Sequence, residues 1–196
     1  DVYKRQALRS AHPVWVIRAL RRALAAEGRA DELDDLLDAD NASPEVTLVA
    51  LPGLADPGEP RRPYAPTAFG SPGGDPHRVI AATGGTVRVQ DEGSQLVALA
   101  LAAAAPITSG ERWLDLCAGP GGKTALLAAI AREHDVTLEA NEVIPTRARL
   151  VRNALRAVPG EVVVHEEDGR SFGASHPGAF DRILVDAPCT LSLIHI

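Results

Sequence analysis

The feature that most restricts what this chain can become is a short apolar strand that breaks into glycines and continues at once as a helix. It runs Arg112-Trp113-Leu114-Asp115-Leu116-Cys117-Ala118-Gly119-Pro120-Gly121-Gly122-Lys123-Thr124. Small residues at such a turn let the backbone come close to a ligand, and the helix beginning at Lys123 points its free N–H groups at that ligand. The flanking pattern is regular. Lys123 to Arg132 reads as a helix, Val136 to Glu142 as a strand, and Pro145 to Ala157 as a helix with proline in its first turn, where the missing N–H costs nothing. Glu161 to Glu166 and Arg182 to Val185 read as two further buried strands. Strands alternating with helices predict an α/β fold, a parallel doubly wound sheet.

The turn can be tested against three kinds of ligand. A nucleoside triphosphate would need glycine where Cys117 stands, and Pro120 would stiffen a loop that has to wrap phosphates. A dinucleotide fingerprint would need a third glycine where Thr124 stands. S-adenosylmethionine carries no phosphate, so a turn that accepts a nucleoside and a methionine tail is enough. Glu142, at the end of the second strand and about 20 residues past the turn, is placed where a carboxylate takes both ribose hydroxyls.

The N-terminal part is organised differently. His12 to Glu27 reads as an amphipathic helix carrying Trp15, Ala19, Leu20 and Leu24 at helical spacing. Asp31 to Asp38 is a second helical stretch with Leu33, Leu36 and Leu37 on one side. Val46 to Leu51 reads as a strand that Pro52-Gly53 ends, and Asp56 to Asp75, crowded with Pro and Gly, as a loop. A domain boundary is expected near Gly84, ahead of Thr86 to Asp91, and Ser94 to Ala105 is an Ala/Leu-rich helix with Ser94 as its N-cap. No internal repeat is apparent.

Composition narrows the class. The 196 residues are 45 % apolar and 23 % charged, values of an ordinary globular protein with room for one domain and part of another. A net charge of −6 and 4 % aromatics lower the expectation of nucleic-acid binding without removing it, since an acidic enzyme can carry a local basic face. Two cysteines are too few for a zinc site or a disulfide framework, so free thiols in a cytoplasmic setting and no metal are expected. The apolar run Leu96 to Ala105 is too short to span a bilayer. The sequence contains no Met, and residues 1–6 and 191–196 read as foreign to the protein, so both ends are set aside from the fold.

The segment Leu114 to Thr124 resembles the first motif of the RsmB and Sun-type S-adenosylmethionine-dependent RNA cytosine-5 methyltransferases. The similarity continues through Val89-Gln90-Asp91-Glu92-Gly93-Ser94-Gln95, the helix with Arg147, Leu150, Asn153 and Arg156, the Asp168-Gly169-Arg170 turn, and Phe180 to Thr190. Ala11-His12-Pro13-Val14-Trp15 resembles the segment that precedes this family's small RNA-binding subdomain. The resemblance implies a Rossmann-like class I methyltransferase sheet over 85–190, incomplete, preceded by part of a small α+β RNA-binding region over 7–84. It implies that Cys117, Ala118, Gly119, Pro120, Gly121, Gly122 and Lys123 line the methionine end of the cofactor and that Glu142 holds the ribose. Asp168 would sit near the adenine edge, and Asp186 near the sulfonium and the incoming base. Family members commonly carry Asp at the Glu142 position; Glu keeps the bidentate acceptor.

Cytosine C5 is a weak nucleophile, and the usual remedy is a thiolate that adds to C6 and makes C5 enamine-like. From the residues alone Cys189 is the obvious thiol, since it follows Pro188 at the mouth of a strand. The resemblance instead gives Cys189 a part in product release and assigns the attack to a later Thr-Cys motif, which would lie beyond residue 190; the 196 residues are therefore expected not to turn over. Cys117 is expected to be a packing residue. Arg149, Arg152 and Arg156 share one helix face, more often a solvated face than an RNA contact. The substrate implied is ribosomal RNA with its target base unstacked, the protein acting as a monomer. The alternatives are a methyltransferase for another RNA or DNA position and a non-catalytic RNA-binding scaffold.

Overall fold

The computed structural model describes residues 7–42, 45–71, 73 and 75–187. They fall into two compact units, one within 1–44 and the other from Glu45 onward. The first unit is helical: α1 (Val14–Ala26), a single 3₁₀ turn at Ala30–Glu32, and α2 (Leu33–Asp40). Its small core is Ile17, Leu33 and Leu37, with Leu20 and Leu24 against it. This corrects two sequence expectations. Trp15 is 58 % exposed and Leu36 lies outside the core, because the buried stripe of α1 runs Ile17-Leu20-Leu24 and that of α2 runs Leu33-Leu37. Buried His12 is fixed by the Asp40 carboxylate at 2.6 Å, which draws its pKa upward.

The second unit holds β1 (Thr47–Ala50), β2 (Ala68–Gly70), α3 (Pro76–Ala82), β3 (Val87–Val89), α4 (Glu92–Ala103), β4 (Arg112–Asp115) and α5 (Gly122–Glu133). It continues with β5 (Thr137–Asn141), α6 (Pro145–Leu155), β6 (Val163–His165), α7 (Gly169–Ser175) and β7 (Arg182–Leu184). Two sheets result. One is antiparallel in the order β2-β1-β3, and the other is parallel in the order β6-β5-β4-β7.

The stretch 56–75 is not all loop. It contains β2, because Ala68, Phe69 and Gly70 pair with Val49, Leu48 and Thr47. The alternation of β1 explains its place: Leu48 and Ala50 face a small core with Phe69 and Val87, while Val49 and Leu51 face the main core with Trp113. Gly84 lies in the turn from α3 to β3, inside this second unit.

The main core surrounds α5, in which every residue from Thr124 to Ala131 is buried. Such a helix cannot show a polar face, and each fully buried Leu in it, such as Leu126 and Leu127, contributes about 2 kcal/mol. Further toward the carboxyl end of the strands, Ala140 and Val151 pack with Ala118. Helix α4 starts two residues earlier than its sequence pattern suggests. Its N-cap is Asp91, whose side chain accepts the Ser94 N–H; Ser94 is not the cap because it already lies in the first turn. Asp168 likewise caps α7, so the Asp168-Gly169-Arg170 segment opens a helix.

At the amino end of the parallel sheet, buried Arg182 donates to Glu111 at 2.7 Å, to the Leu101 and Ala102 carbonyls in the last turn of α4, and to the Ala105 and Pro106 carbonyls just beyond it. These bonds occupy helix carbonyls that would otherwise be orphaned.

Candidate functional site

The carboxyl ends of β4, β5 and β7 converge on one cavity of about 520 Å³. That is a volume suited to a small cofactor. The crossover geometry puts the glycine turn there, since β4 sits between β5 and β7 and its chain must leave the sheet at this end to enter α5.

Cys117, Ala118, Gly119, Pro120, Gly122 and Lys123 all line the cavity. Gly121 does not. It caps α5 with φ +92°, and a Cβ there would stand 2.8 Å from the Val151 Cα and 2.9 Å from the Ala154 Cβ. Its glycine is required by the backbone conformation and by the close approach of α6. Burial and the neighbouring carboxylates push the half-buried Cys117 thiol up.

Glu142 lines the cavity at the end of β5 and is 5 % exposed. Its Oε2 accepts the Gly119 N–H at 3.1 Å and its Oε1 accepts the Ile144 N–H at 2.9 Å. Each oxygen keeps a further lone pair for a ligand hydroxyl.

Asp186 also lines the cavity, and Lys123 Nζ donates to its Oδ2 at 2.7 Å. The helix that begins in the turn therefore anchors the carboxylate after β7. Asp168 stands apart: Gly169 reaches the cavity wall, whereas the Asp168 carboxylate is held by Arg170 N, Nε and Nη2, the last at 2.6 Å. That pairing holds the Asp168 carboxyl down at about 2. Cys189 lies outside the described residues.

Three residues that sequence reasoning did not single out complete the site. Asn141 donates through Nδ2 to the Leu116 and Glu167 carbonyls and accepts the Glu167 N–H at 3.0 Å, locking the ends of β4, β5 and β6 together. Asp115, 1 % exposed, accepts the Thr124 hydroxyl at 2.7 Å through Oδ2, while Oδ1 has no hydrogen bond. Burial pushes its carboxyl up to about 6. Gln90 lines the cavity just after β3 with neither amide atom hydrogen-bonded. Only position could have pointed to them, each being a polar residue at a strand's end.

Among the described residues no group of three or more His, Cys, Asp or Glu could hold a metal. No described helix is long and apolar enough to cross a membrane.

Solved structures share this arrangement. The structure of PH0851 superposes with a TM-score of 0.81 at 22 % identity, covering 96 % of this chain and 44 % of that one. A methyltransferase homologue from Pyrococcus horikoshii superposes at 0.65 with 24 % identity, covering 82 % of this chain and 56 % of that one. The fold is thus a Rossmann-like parallel sheet flanked by helices.

Residues 102–195 match the model of the 16S rRNA methyltransferase RsmB/F family. A Mycobacterium tuberculosis protein named as a candidate methyltransferase is 46 % identical over 187 residues, which is 92 % of this chain and 40 % of that protein. Ribosomal RNA small subunit methyltransferase B of Salmonella paratyphi C is 30 % identical over 91 % of this chain and 42 % of its own length. Over these residues the chain is similar to the RsmB/Sun-type methyltransferases. It spans about two fifths of the length of the curated relatives it matches.

Proposed function

We propose that the cavity is the S-adenosylmethionine site of an enzyme that methylates C5 of a cytosine in ribosomal RNA, with small-subunit RNA as the favoured substrate. The observation that carries this reading is the Glu142 carboxylate, held by two backbone N–H groups at the tip of β5 on the wall of the cavity that the glycine turn also lines. The relatives support the substrate class. The Salmonella protein is named for small-subunit ribosomal RNA, and a Caenorhabditis elegans 26S rRNA (cytosine-C(5))-methyltransferase is 43 % identical over 82 residues.

In this reading each wall has one task. Glu142 accepts the ribose hydroxyls, and the backbone from Cys117 to Lys123 lies along the amino-acid tail. The α7 start at Asp168 and Gly169 borders the adenine; since Arg170 already occupies the Asp168 carboxylate, that contact falls to the unpaired lone pairs it retains. Asp186, oriented by Lys123, faces the place where the target base enters. When bound, the cofactor supplies the methyl group. Cys189 assists release of the methylated base. Residues 7–84 contribute to RNA contact, and the protein works as a cytoplasmic monomer.

Calorimetry with S-adenosylhomocysteine tests the site: saturable one-to-one binding is expected, and no heat at millimolar ligand overturns it. For the substrate, affinity for a small-subunit ribosomal RNA fragment is expected to fall steeply as salt rises. RNA affinity without any cofactor affinity would favour a binding scaffold instead.

A further inference from the structure

The structure leaves one side chain beside the cofactor cavity with nothing to do. Gln90 directly follows β3, is 7 % exposed, and has both Nε2 and Oε1 without a hydrogen bond. Its backbone is fully engaged, with its N–H on the Thr47 carbonyl and its own carbonyl accepting Gln95 Nε2 at 3.0 Å. The main chain is fixed, and only the amide is idle. A buried polar group left unpaired costs about 1–3 kcal/mol, so an amide kept in a cavity wall suits a ligand that pairs with it.

The position of the amide says what that partner is. Its three terminal atoms lie 3.7 to 3.8 Å from where a Cβ of Gly122 would stand. Gly122 is the first residue of α5, a helix of 12 residues whose N-cap Gly121 offers no side-chain cap. The first-turn N–H groups of α5 and the Gln90 amide thus border the same corner. A helix N-terminus favours an anion, and an amide presents one donor and one acceptor without net charge.

Resting on the cofactor reading above, we infer that Gln90 recognises the zwitterionic amino-acid end of the ligand, its amide meeting both the α-carboxylate and the α-ammonium while the carboxylate also faces the start of α5. The side chain is closed to water in the ligand-free protein and reaches the ligand by turning on its flexible stem into the cavity it lines. No carboxylate or ammonium side chain could serve both ends of the zwitterion, because each would repel one of them. Which end of the amide faces which group does not matter, since both atoms are free.

The test compares two ligands that differ only in this end. S-adenosylhomocysteine carries the amino acid; 5′-methylthioadenosine ends in a plain methyl group. Gln90→Leu is expected to weaken S-adenosylhomocysteine about tenfold and leave 5′-methylthioadenosine within about twofold, the loss of one or two hydrogen bonds to charged groups. The same variant without ligand should melt no lower than the parent, because it removes an unpaired buried amide. Equal losses for both ligands, no loss for either, or a lower melting temperature without ligand would each overturn the inference. Gln90→Glu keeps the shape and is expected to weaken the longer ligand selectively; if Gln90→Leu does not fold, this variant decides alone, and an unchanged ratio of the two affinities overturns the inference. If the parent protein binds neither nucleoside, the cofactor reading fails with it; if it binds both and the variants track the parent, only the Gln90 assignment falls.

Discussion

The Glu142 carboxylate reaches 23 positions back along the sequence to accept the Gly119 N–H at 3.1 Å. With its second oxygen on the Ile144 N–H, one side chain ties the glycine turn to the head of α6. The residue proposed to hold the ribose therefore also shapes the turn.

Replacing it should separate these two roles. Glu142→Ala removes acceptors from two N–H groups and from the ribose, and is expected to weaken S-adenosylhomocysteine by about 10- to 100-fold, from hydrogen bonds to a charged group at about 1.5–3 kcal/mol each. Glu142→Gln keeps one acceptor oxygen and should lose less. Calorimetry on both variants checks the order; parent-like affinity in Glu142→Ala would remove the carboxylate from the site.

Gly121→Ala should be costly for stability whatever it does to ligand binding. The added methyl would meet Val151 and Ala154 inside 3 Å, and the residue would still need φ +92°. Strain and overpacking together are expected to cost about 2–4 kcal/mol. Urea denaturation reads this directly, and a change under about 0.5 kcal/mol would show that α6 moves aside freely.

Arg182→Ala removes a donor from four carbonyls and the cation from Glu111, which keeps the Thr108 N–H and the Trp113 Nε1–H. The loss of these bonds around a buried guanidinium is expected to lower the urea midpoint. Urea denaturation of Arg182→Ala, Glu111→Ala and the double variant is expected to show non-additive losses, because the two side chains are bonded directly. Strictly additive effects would argue against a coupled pair.

Stability should also carry the signature of Asp115. Burial raises its carboxyl from 3.8 to about 6, so between those values the folded protein holds a proton that the unfolded chain has released. Its contribution is present below pH about 4 and is lost as pH rises through about 6, on the order of 3 kcal/mol for two pKa units. Asp115→Asn keeps an acceptor for Thr124 and should flatten that fall. Glu111 and Asp168, both held down at about 2, act in the opposite direction: their contribution is present above the ordinary carboxylate range and lost as pH falls toward 2. Urea midpoints from pH 3 to 7 for parent and Asp115→Asn distinguish the two, and identical profiles would place the Asp115 proton elsewhere.

The parallel sheet and the glycine turn were legible because they rest on local pattern. Apolar runs separated by helical periodicity specify β4-α5-β5-α6, and glycines between a strand and a helix have few other uses. Glu142 was legible for the same reason, as the only carboxylate at the tip of the next strand. What sequence could not supply was any relation set by packing across the chain. β2 was hidden in a Pro/Gly-rich stretch because three residues form a strand only when β1 lies beside them. Trp15 looked like core because helical spacing does not say which stripe meets a neighbour.

By itself, then, the sequence determined the run β4-α5-β5-α6, the turn and the carboxylate beyond it, since these follow from propensity and spacing within a few residues. Only the tertiary structure decided that Gly121 serves α6 and not the cavity, that Lys123 spends its charge on Asp186, and that the Gln90 amide is left unpaired. Each of these depends on which groups meet across distant segments, and hydrogen bonding and steric fit act at contact distance in space, blind to separation along the chain.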